Sequence, residues 1–236
     1  MKIIDININD FGGINNHREQ FKEKYGNYKY LQEWDKLDKS ENINGILNYI
    51  KRYDPDIVIL QEYDINSKEA QFFYQQMTAQ GYLLKSETPT KRPSMTVMYI
   101  KKSIDFEEIH VGHERNLRAY AIKTEAIIIY GTHIPPKKYD AQFWGELHAF
   151  IKKNSSKKYL LIGDFNTINN KNYRELETLL KNADDVWKEK GNNEPLSILG
   201  DYVIASKNIE VNNFEIHKFD ESYTDHPIIL VTLLNN

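Results

Sequence analysis

Eight short apolar, β-rich runs constrain the fold more than any other feature of this chain; they lie at 2–8, 56–61, 95–100, 119–123, 126–132, 159–162, 202–205 and 228–234. Runs such as Ile57-Val58-Ile59-Leu60 and Tyr159-Leu160-Leu161-Ile162 read as buried core strands. Helical stripes separate several of them. Ile43, Ile46, Leu47 and Ile50 fall at i, i+3, i+4, i+7, with Asp38 and Glu41 upstream as a capping-box start. Phe143, Trp144, Leu147, Phe150 and Ile151 make a second stripe, and Tyr173, Leu176, Leu179 and Leu180 a third. The spacing also predicts a helix over 69–80, ending at Gly81. The 95–134 region reads as a meander of hairpins. Strands that alternate with helices and also follow one another directly predict mixed sheets with helices outside. The stretch Ile14–Lys39 breaks the pattern: it is polar, carries Tyr25, Tyr28, Tyr30 and Trp34, and has no clean period. It reads as a long loop with a helical piece at 17–24.

No repeat, low-complexity tract or Pro/Gly/Ser linker divides the chain, so residues 1–236 are expected to form a single domain. The net charge of −3 gives no global basic field to attract nucleic acid. The Lys pairs 101–102, 137–138, 152–153 and 157–158 are candidates for a local patch, against an ordinary role as solvated surface. With no cysteine, disulfides, thiolate metal sites and cysteine nucleophiles are excluded. The first run is interrupted by Asp5 and is too short and polar for a signal peptide. No segment approaches the ~20 apolar residues of a membrane helix. A cytoplasmic protein is therefore expected.

Polar residues gather where the runs end. The first run leads through Asn7 to Asn9-Asp10-Phe11-Gly12-Gly13, and the second ends in Gln61-Glu62. The 126–131 strand ends in Thr132-His133, and the next in Gly163-Asp164-Phe165-Asn166. Gly200-Asp201 opens one strand and Thr224-Asp225-His226-Pro227 precedes the last. Each alone has an ordinary reading as a turn or cap. Together they supply carboxylates, amides and two histidines. Converging carboxylates and amides suit a hard cation such as Mg²⁺, which takes few protein ligands and keeps water and phosphate oxygens. A histidine beside it suits acid–base work near neutral pH.

At this point the chain resembles the endonuclease/exonuclease/phosphatase superfamily. "NINDFGG", "DIVILQE", "YGTHIP", "LLIGDFN", "LGDYVIAS" and "TDHP" look like its motifs, in family order from Asn7 to His226. The resemblance implies a four-layer α/β sandwich: two packed mixed β-sheets with helices on both outer faces, and a site at one end of the sheets. It implies that Glu62 holds Mg²⁺, with Mn²⁺ able to replace it, and that Asn7 and Asp225 lie near the metal. It places Asp164 and Asn166 beside the scissile phosphate, Asp164 to orient or deprotonate the attacking water and Asn166 to donate to a phosphate oxygen. His226 would contact the phosphate or act as base, with Asp201 on its other ring nitrogen. His133 would be a second phosphate contact or the acid for the leaving oxygen. Arg118 in "RNLRAYAI", on the strand before the third motif, is a candidate phosphate contact, with a plain surface arginine as its other reading.

The resemblance points to a divalent-metal-dependent phosphodiester hydrolase, a nuclease acting on DNA or RNA. One alternative keeps the chemistry and changes the substrate to a phosphomonoester, phospholipid or inositol phosphate. Another is a catalytically inactive binding module. The third motif departs from that of AP endonucleases, which carry Tyr where His133 stands and Asn where Pro136 stands. The segment Ile14–Lys39 interleaves its aromatics with Arg18, Lys22, Lys24, Lys29 and Lys36, which suits a nucleic-acid strand. The other reading of the same residues is that the aromatics pack the segment onto the domain.

Overall fold

The structure, a computed structural model, describes residues 1–87, 94–111, 117–135, 140–189, 200–217 and 223–234. Lys137, Lys138 and Pro136 fall outside the described residues, as does the side chain of Tyr28. In chain order the elements are β1 (Lys2–Asn7), α1 (Arg18–Trp34), α2 (Ser40–Tyr53), β2 (Ile57–Tyr63), α3 (Lys68–Ala79), β3 (Tyr82–Lys85) and β4 (Met95–Lys101). There follow β5 (Glu107–Ile109), β6 (Ala119–Lys123), β7 (Ile128–His133), α4 (Ala141–Lys153), β8 (Tyr159–Asp164) and α5 (Asn170–Leu179). The chain continues with β9 (Ala183–Asp185), α6 (Val186–Glu189), β10 (Asp201–Ser206), β11 (Val211–His217) and β12 (Ile228–Leu233). They form two six-stranded sheets, ordered β11-β12-β1-β2-β4-β3 and β5-β6-β7-β8-β10-β9. Among the described residues only β1/β2 and β7/β8 pair in parallel, and each of those connections is spanned by helix.

The continuous apolar runs arise because both faces of each central strand are covered. Along β8, Leu160 and Ile162 face the opposite sheet, whereas Tyr159 and Leu161 pack under the outer helices. Along β1, Ile3 faces between the sheets and Ile4 and Ile6 face the α2/α3 layer. The helical stripes fill the outer layers: Ile43, Ile46, Leu47 and Ile50 of α2 cover the first sheet, and Phe143, Trp144, Leu147 and Ile151 of α4 cover the second. Each such side chain contributes roughly 1.5–3 kcal/mol on full burial. The result is the four-layer α/β sandwich expected from the family resemblance.

This alternation explains the polar strand ends. On β2, β8 and β10 the inward-facing series is apolar up to its member at one end of the sandwich. Ile57 and Ile59 lead to Gln61, Leu160 and Ile162 lead to Asp164, and Val203 is preceded by Asp201. At that end the space between the sheets is lined by polar groups instead of core.

Four details differ from the sequence reading. The stretch 14–39 is mostly helix, not loop: α1 runs from Arg18 to Trp34 but is broken at Gly26 (φ 76°, ψ 166°), which resets the phase and hides the 3.6-residue period. The capping box fails by register. Lys39, not Asp38, is the N-cap of α2, and Asp38 accepts from the Ser40 N–H at 3.0 Å instead. The supposed 95–134 meander is divided: β4 belongs to the first sheet, and only β5-β6-β7 form a meander in the second. The strands β3, β5, β9 and β11 were not foreseen; the first three have three or four residues, and β11 is a seven-residue, half-buried edge strand whose register is broken by a bulge.

Candidate active site

The site begins with backbone conformations that most residues avoid. Glu62 (φ 54°) and Asn166 (φ 48°) are left-handed, as are Asn9 (φ 45°) and Asp10 (φ 46°). Each costs about 1–2 kcal/mol for a residue with a Cβ, and all four sit at ends of β1, β2 or β8. The β2 register against β4 shifts between Leu60 and Tyr63, so Glu62 leaves the regular alternation of its strand. Gly163 solves a related problem. It has φ +140°, and a Cβ there would lie 1.9 Å from the Thr132 carbonyl oxygen. Glycine lets β7 and β8 close at the point where Asp164 turns into the site.

Asp164 is the hub. The Asn166 backbone N–H donates to its Oδ1 at 2.8 Å and the Asn166 side-chain amide to its Oδ2 at 2.8 Å. The same amide also donates to the Ile134 carbonyl at 2.8 Å, which uses both of its hydrogens. Asn166 therefore holds Asp164 in place in this arrangement. The Asn7 amide nitrogen lies 3.4 Å from both Asp164 Oδ2 and His226 Nε2. The Asn7 side-chain oxygen accepts the Asn9 backbone N–H at 3.0 Å.

Two histidines flank the hub in different states. His226 Nδ1 lies 3.1 Å from each oxygen of Asp201, and its Nε2 faces Asp164 at 4.0 Å. Burial pulls the His226 pKa down, but Asp201 beside it, then Asp164 and Asp225, outweigh this and push it up to about 10. His133 goes the other way. Burial, then the charges of Arg118 and His226, hold it well below the ordinary histidine range. An Arg118 guanidinium nitrogen lies 3.0 Å from His133 Nδ1 and 3.3 Å from Nε2, and the carboxylates that face Nε2 favour a neutral ring with its hydrogen on that nitrogen. That nitrogen points between Glu62 Oε1 at 3.6 Å and Asp164 Oδ2 at 3.5 Å. Burial raises the Asp164 pKa to about 7, with Asp201 adding to the effect and His226 opposing it.

Asn7, Glu62, Arg118, His133, Asp164, Asn166, Asp201 and His226 are thus linked in one contact network from five strands and their loops. Asp225 is the next residue to His226, but one of its oxygens faces His17 Nδ1 at 3.2 Å and the other is buried without a hydrogen-bond donor. His17, at the N-cap of α1, was not foreseen, because nothing in its local sequence links it to residue 225. Nor was Thr224, whose hydroxyl donates to the Asn7 carbonyl and accepts the His226 N–H at 3.3 Å. One layer deeper, Gln61 and Asp5 share a 2.5 Å hydrogen bond, and burial above all keeps the Asp5 pKa well above the usual carboxylate range. Its signal was present: an acid inside an apolar run, two residues before Asn7, shares the inward face of β1.

The Ile14–Lys39 segment is tied down by its own polar groups. Asp10, fully buried, accepts from Arg18 at 2.6 Å and from Trp34 Nε1 at 2.6 Å, and Lys39 Nζ lies 3.4 Å away. Arg18 also reaches Asp64 at 3.2 Å, and Phe21 packs edge-on against Trp34. For Arg18 and Trp34 the packing reading holds.

Among the described residues no helix is long and apolar enough to cross a membrane. Solved structures share the fold. The human Nocturnin catalytic domain with bound sulfate superposes with a TM-score of 0.67 at 16% identity, covering 99% of this chain and 93% of that one. Zebrafish (D. rerio) TDP2 complexed with a single-strand DNA product gives 0.66 at 17% identity over 100% and 99%. An AP endonuclease from Archaeoglobus fulgidus gives 0.64 at 13% identity over 99% of each chain. A search of curated proteins by sequence finds no match. The profile of the Endonuclease/Exonuclease/phosphatase family matches residues 42–226, from α2 to the second histidine of the site, and the chain belongs to that family.

Proposed function

We propose that this protein is a divalent-metal-dependent phosphodiester hydrolase acting on nucleic acid, with residues 1–236 working as one domain. The observation that carries the reading is the environment of Asp164. A buried carboxylate with its pKa near 7 sits between a cationic and a neutral histidine, and both of its oxygens are already oriented by Asn166. A carboxylate poised near neutrality is the base a water attack needs. In the proposed step Asp164 takes a proton from water, the water oxygen forms the new bond to phosphorus, and the bond to the leaving oxygen breaks. His226, held as imidazolium by Asp201, and the His133 Nε2–H offer donors to the phosphoryl and leaving oxygens as their charge grows. The Glu62 and Asp164 carboxylates beside Nε2 favour the donor tautomer of His133.

The residues present fit a hard cation. Mg²⁺ needs only one or two protein carboxylates. Glu62 is partly exposed beside His133, and the donor-less Asp225 oxygen is an acceptor a cation would satisfy. Glu62 and Asp225, with the second lone pair of the Asn7 oxygen, would hold it, and when bound it supplies Lewis-acid stabilisation of the phosphoryl charge. Among the described residues no group of three or more acidic, His or Cys side chains forms a ready cage.

The nucleic-acid half of the reading is supported by neighbours of the same fold whose own descriptions name a single-strand DNA product and AP endonuclease activity. The test is hydrolysis of bis(p-nitrophenyl) phosphate and of the mono-ester with Mg²⁺ and with EDTA, followed by DNA, RNA, phospholipid and inositol phosphate. Diester cleavage that stops in EDTA, and extends to DNA or RNA, is expected. No diester cleavage overturns the mechanism. Cleavage of phospholipid or inositol phosphate with none of DNA or RNA overturns the substrate.

A further inference from the structure

We propose that a groove on the outer face of the second sheet, along α5, is the track for a single-stranded nucleic acid leaving the scissile phosphate. The inference rests on the nuclease reading above. The groove has a volume of about 600 Å³ and is lined by Tyr173, Arg174 and Glu177 of α5, Lys181 just past its C-terminus and Tyr202 of β10.

Chain continuity joins this groove to the site. Asn166 holds Asp164, and the next residue, Thr167, has its hydroxyl 3.5 Å from the Tyr202 hydroxyl. Asp201 and Tyr202 are neighbours on β10 and face opposite sides of the sheet: Asp201 meets His226, and Tyr202 lies edge-on against Phe165 in the outer layer. The groove therefore starts one residue away from two members of the network. A substrate that passes the sheet end at Asn166 meets it directly.

The lining chemistry selects the occupant. Ile168 and Tyr173 stand at the two positions flanking the α5 N-cap, Asn169, where apolar residues ordinarily cover each other. Here they stay 69% and 43% exposed. Arg174 and Lys181 are exposed and form no ion pair among the described residues, and Glu177 is the only acid in the lining. Two cations flanking an exposed ring fit phosphates spaced around a stacked base. Of the groove's two aliphatic lining residues Leu176 is buried and Leu180 half-buried, so an acyl chain would find little open apolar surface among the charged and polar groups, and duplex bases are already stacked and closed to Tyr173. The cations of the 14–39 segment do not compete for this role at Arg18, which is committed to Asp10 and Asp64.

Three variants test the track: Tyr173→Ala, Arg174→Ala/Lys181→Ala, and the charge reversal Arg174→Glu/Lys181→Glu. Their melting temperatures are checked first. Each is assayed with Mg²⁺ on a labelled 12-nucleotide single strand, the same sequence as a duplex, and bis(p-nitrophenyl) phosphate, over a range of salt. For the single strand, Tyr173→Ala is expected to raise KM about 5- to 150-fold, the range for one stacked base. The double alanine variant is expected to flatten the log–log salt dependence by about 1.4, two phosphates at ~0.7 each. The small diester, which does not reach the groove, is expected to be cleaved at the wild-type rate. Unchanged KM and salt slope on the single strand, with normal cleavage by the wild type, overturn the track and leave the hydrolase reading intact. Equal losses on the single strand and the small diester also overturn it, since they mark a structural role. A wild-type protein that cleaves neither substrate overturns the hydrolase reading itself, and the track with it.

Discussion

Replacing Asp201 by asparagine tests the electrostatic core of the site without any assumption about substrate. His226 is buried, with its pKa pushed up to about 10 from an ordinary 6.5, chiefly by Asp201 working against burial. The folded state thus binds this proton more tightly than the unfolded chain. The stabilisation is complete below pH 6.5 and is lost as pH rises through 10. A gap of that size corresponds to a ceiling of roughly 5 kcal/mol. Between pH 7 and 10 the folded protein keeps a proton the unfolded chain has lost, so the His226 contribution falls by about 1.4 kcal/mol per pH unit. The amide introduced by Asp201→Asn would still accept a hydrogen bond from Nδ1 but carries no charge, and burial then dominates, so His226 titrates at or below its ordinary value. Urea unfolding in EDTA at pH 7, 8 and 9 should show wild-type stability declining more steeply than that of D201N by about that slope, with the variant weaker by roughly 3 kcal/mol at pH 7. An NMR titration of the His226 ring should locate the shift directly. Parallel pH–stability lines for the two proteins would refute the reasoning.

Gly163→Ala places a Cβ 1.9 Å from the Thr132 carbonyl oxygen at φ +140°, so it should cost more than roughly 3 kcal/mol, seen as a large fall in Tm; wild-type Tm would mean the β7/β8 approach is not fixed. Trp34→Phe removes the 2.6 Å donor to fully buried Asp10 and should cost about 1–3 kcal/mol in urea unfolding, whereas no loss would show that Asp10 does not anchor α1. Under the proposed function, Glu62→Gln should raise the Mg²⁺ concentration needed for half-maximal diester hydrolysis at least tenfold; activity that persists in EDTA would rule the cation out. Asn166→Ala should lower kcat by roughly 10² through loss of Asp164 orientation with little change in KM, and an unchanged kcat would remove Asn166 from the mechanism.

The residue pattern by itself determined mixed sheets with helices outside, the family resemblance added the four-layer sandwich, and the polar strand ends were legible for a physical reason. Strands covered on both faces must be apolar throughout, so a polar residue at the end of such a run, as at Asn7, His133 or Asp164, stands out against a uniform background. Stripes such as Ile43-Ile46-Leu47-Ile50 are legible because one unbroken helix buries one face. Where a rule depends on local continuity and continuity fails, legibility fails with it. Gly26 breaks α1 and erases its period, and β3, β5 and β9 are too short to alternate visibly. Which strands share a sheet was decided by tertiary structure alone, since β4 and β5 are close in sequence but lie in different layers. So was the division of labour between residues of one type. Nothing local tells that Arg18 and Trp34 turn inward to Asp10, that Asn166 spends both amide hydrogens on its neighbours, or that His226 is charged while His133 is neutral. Those states depend on burial and on partners that are remote in the chain, such as Asp201 for His226 and Arg118 for His133, and only the folded arrangement brings them within reach.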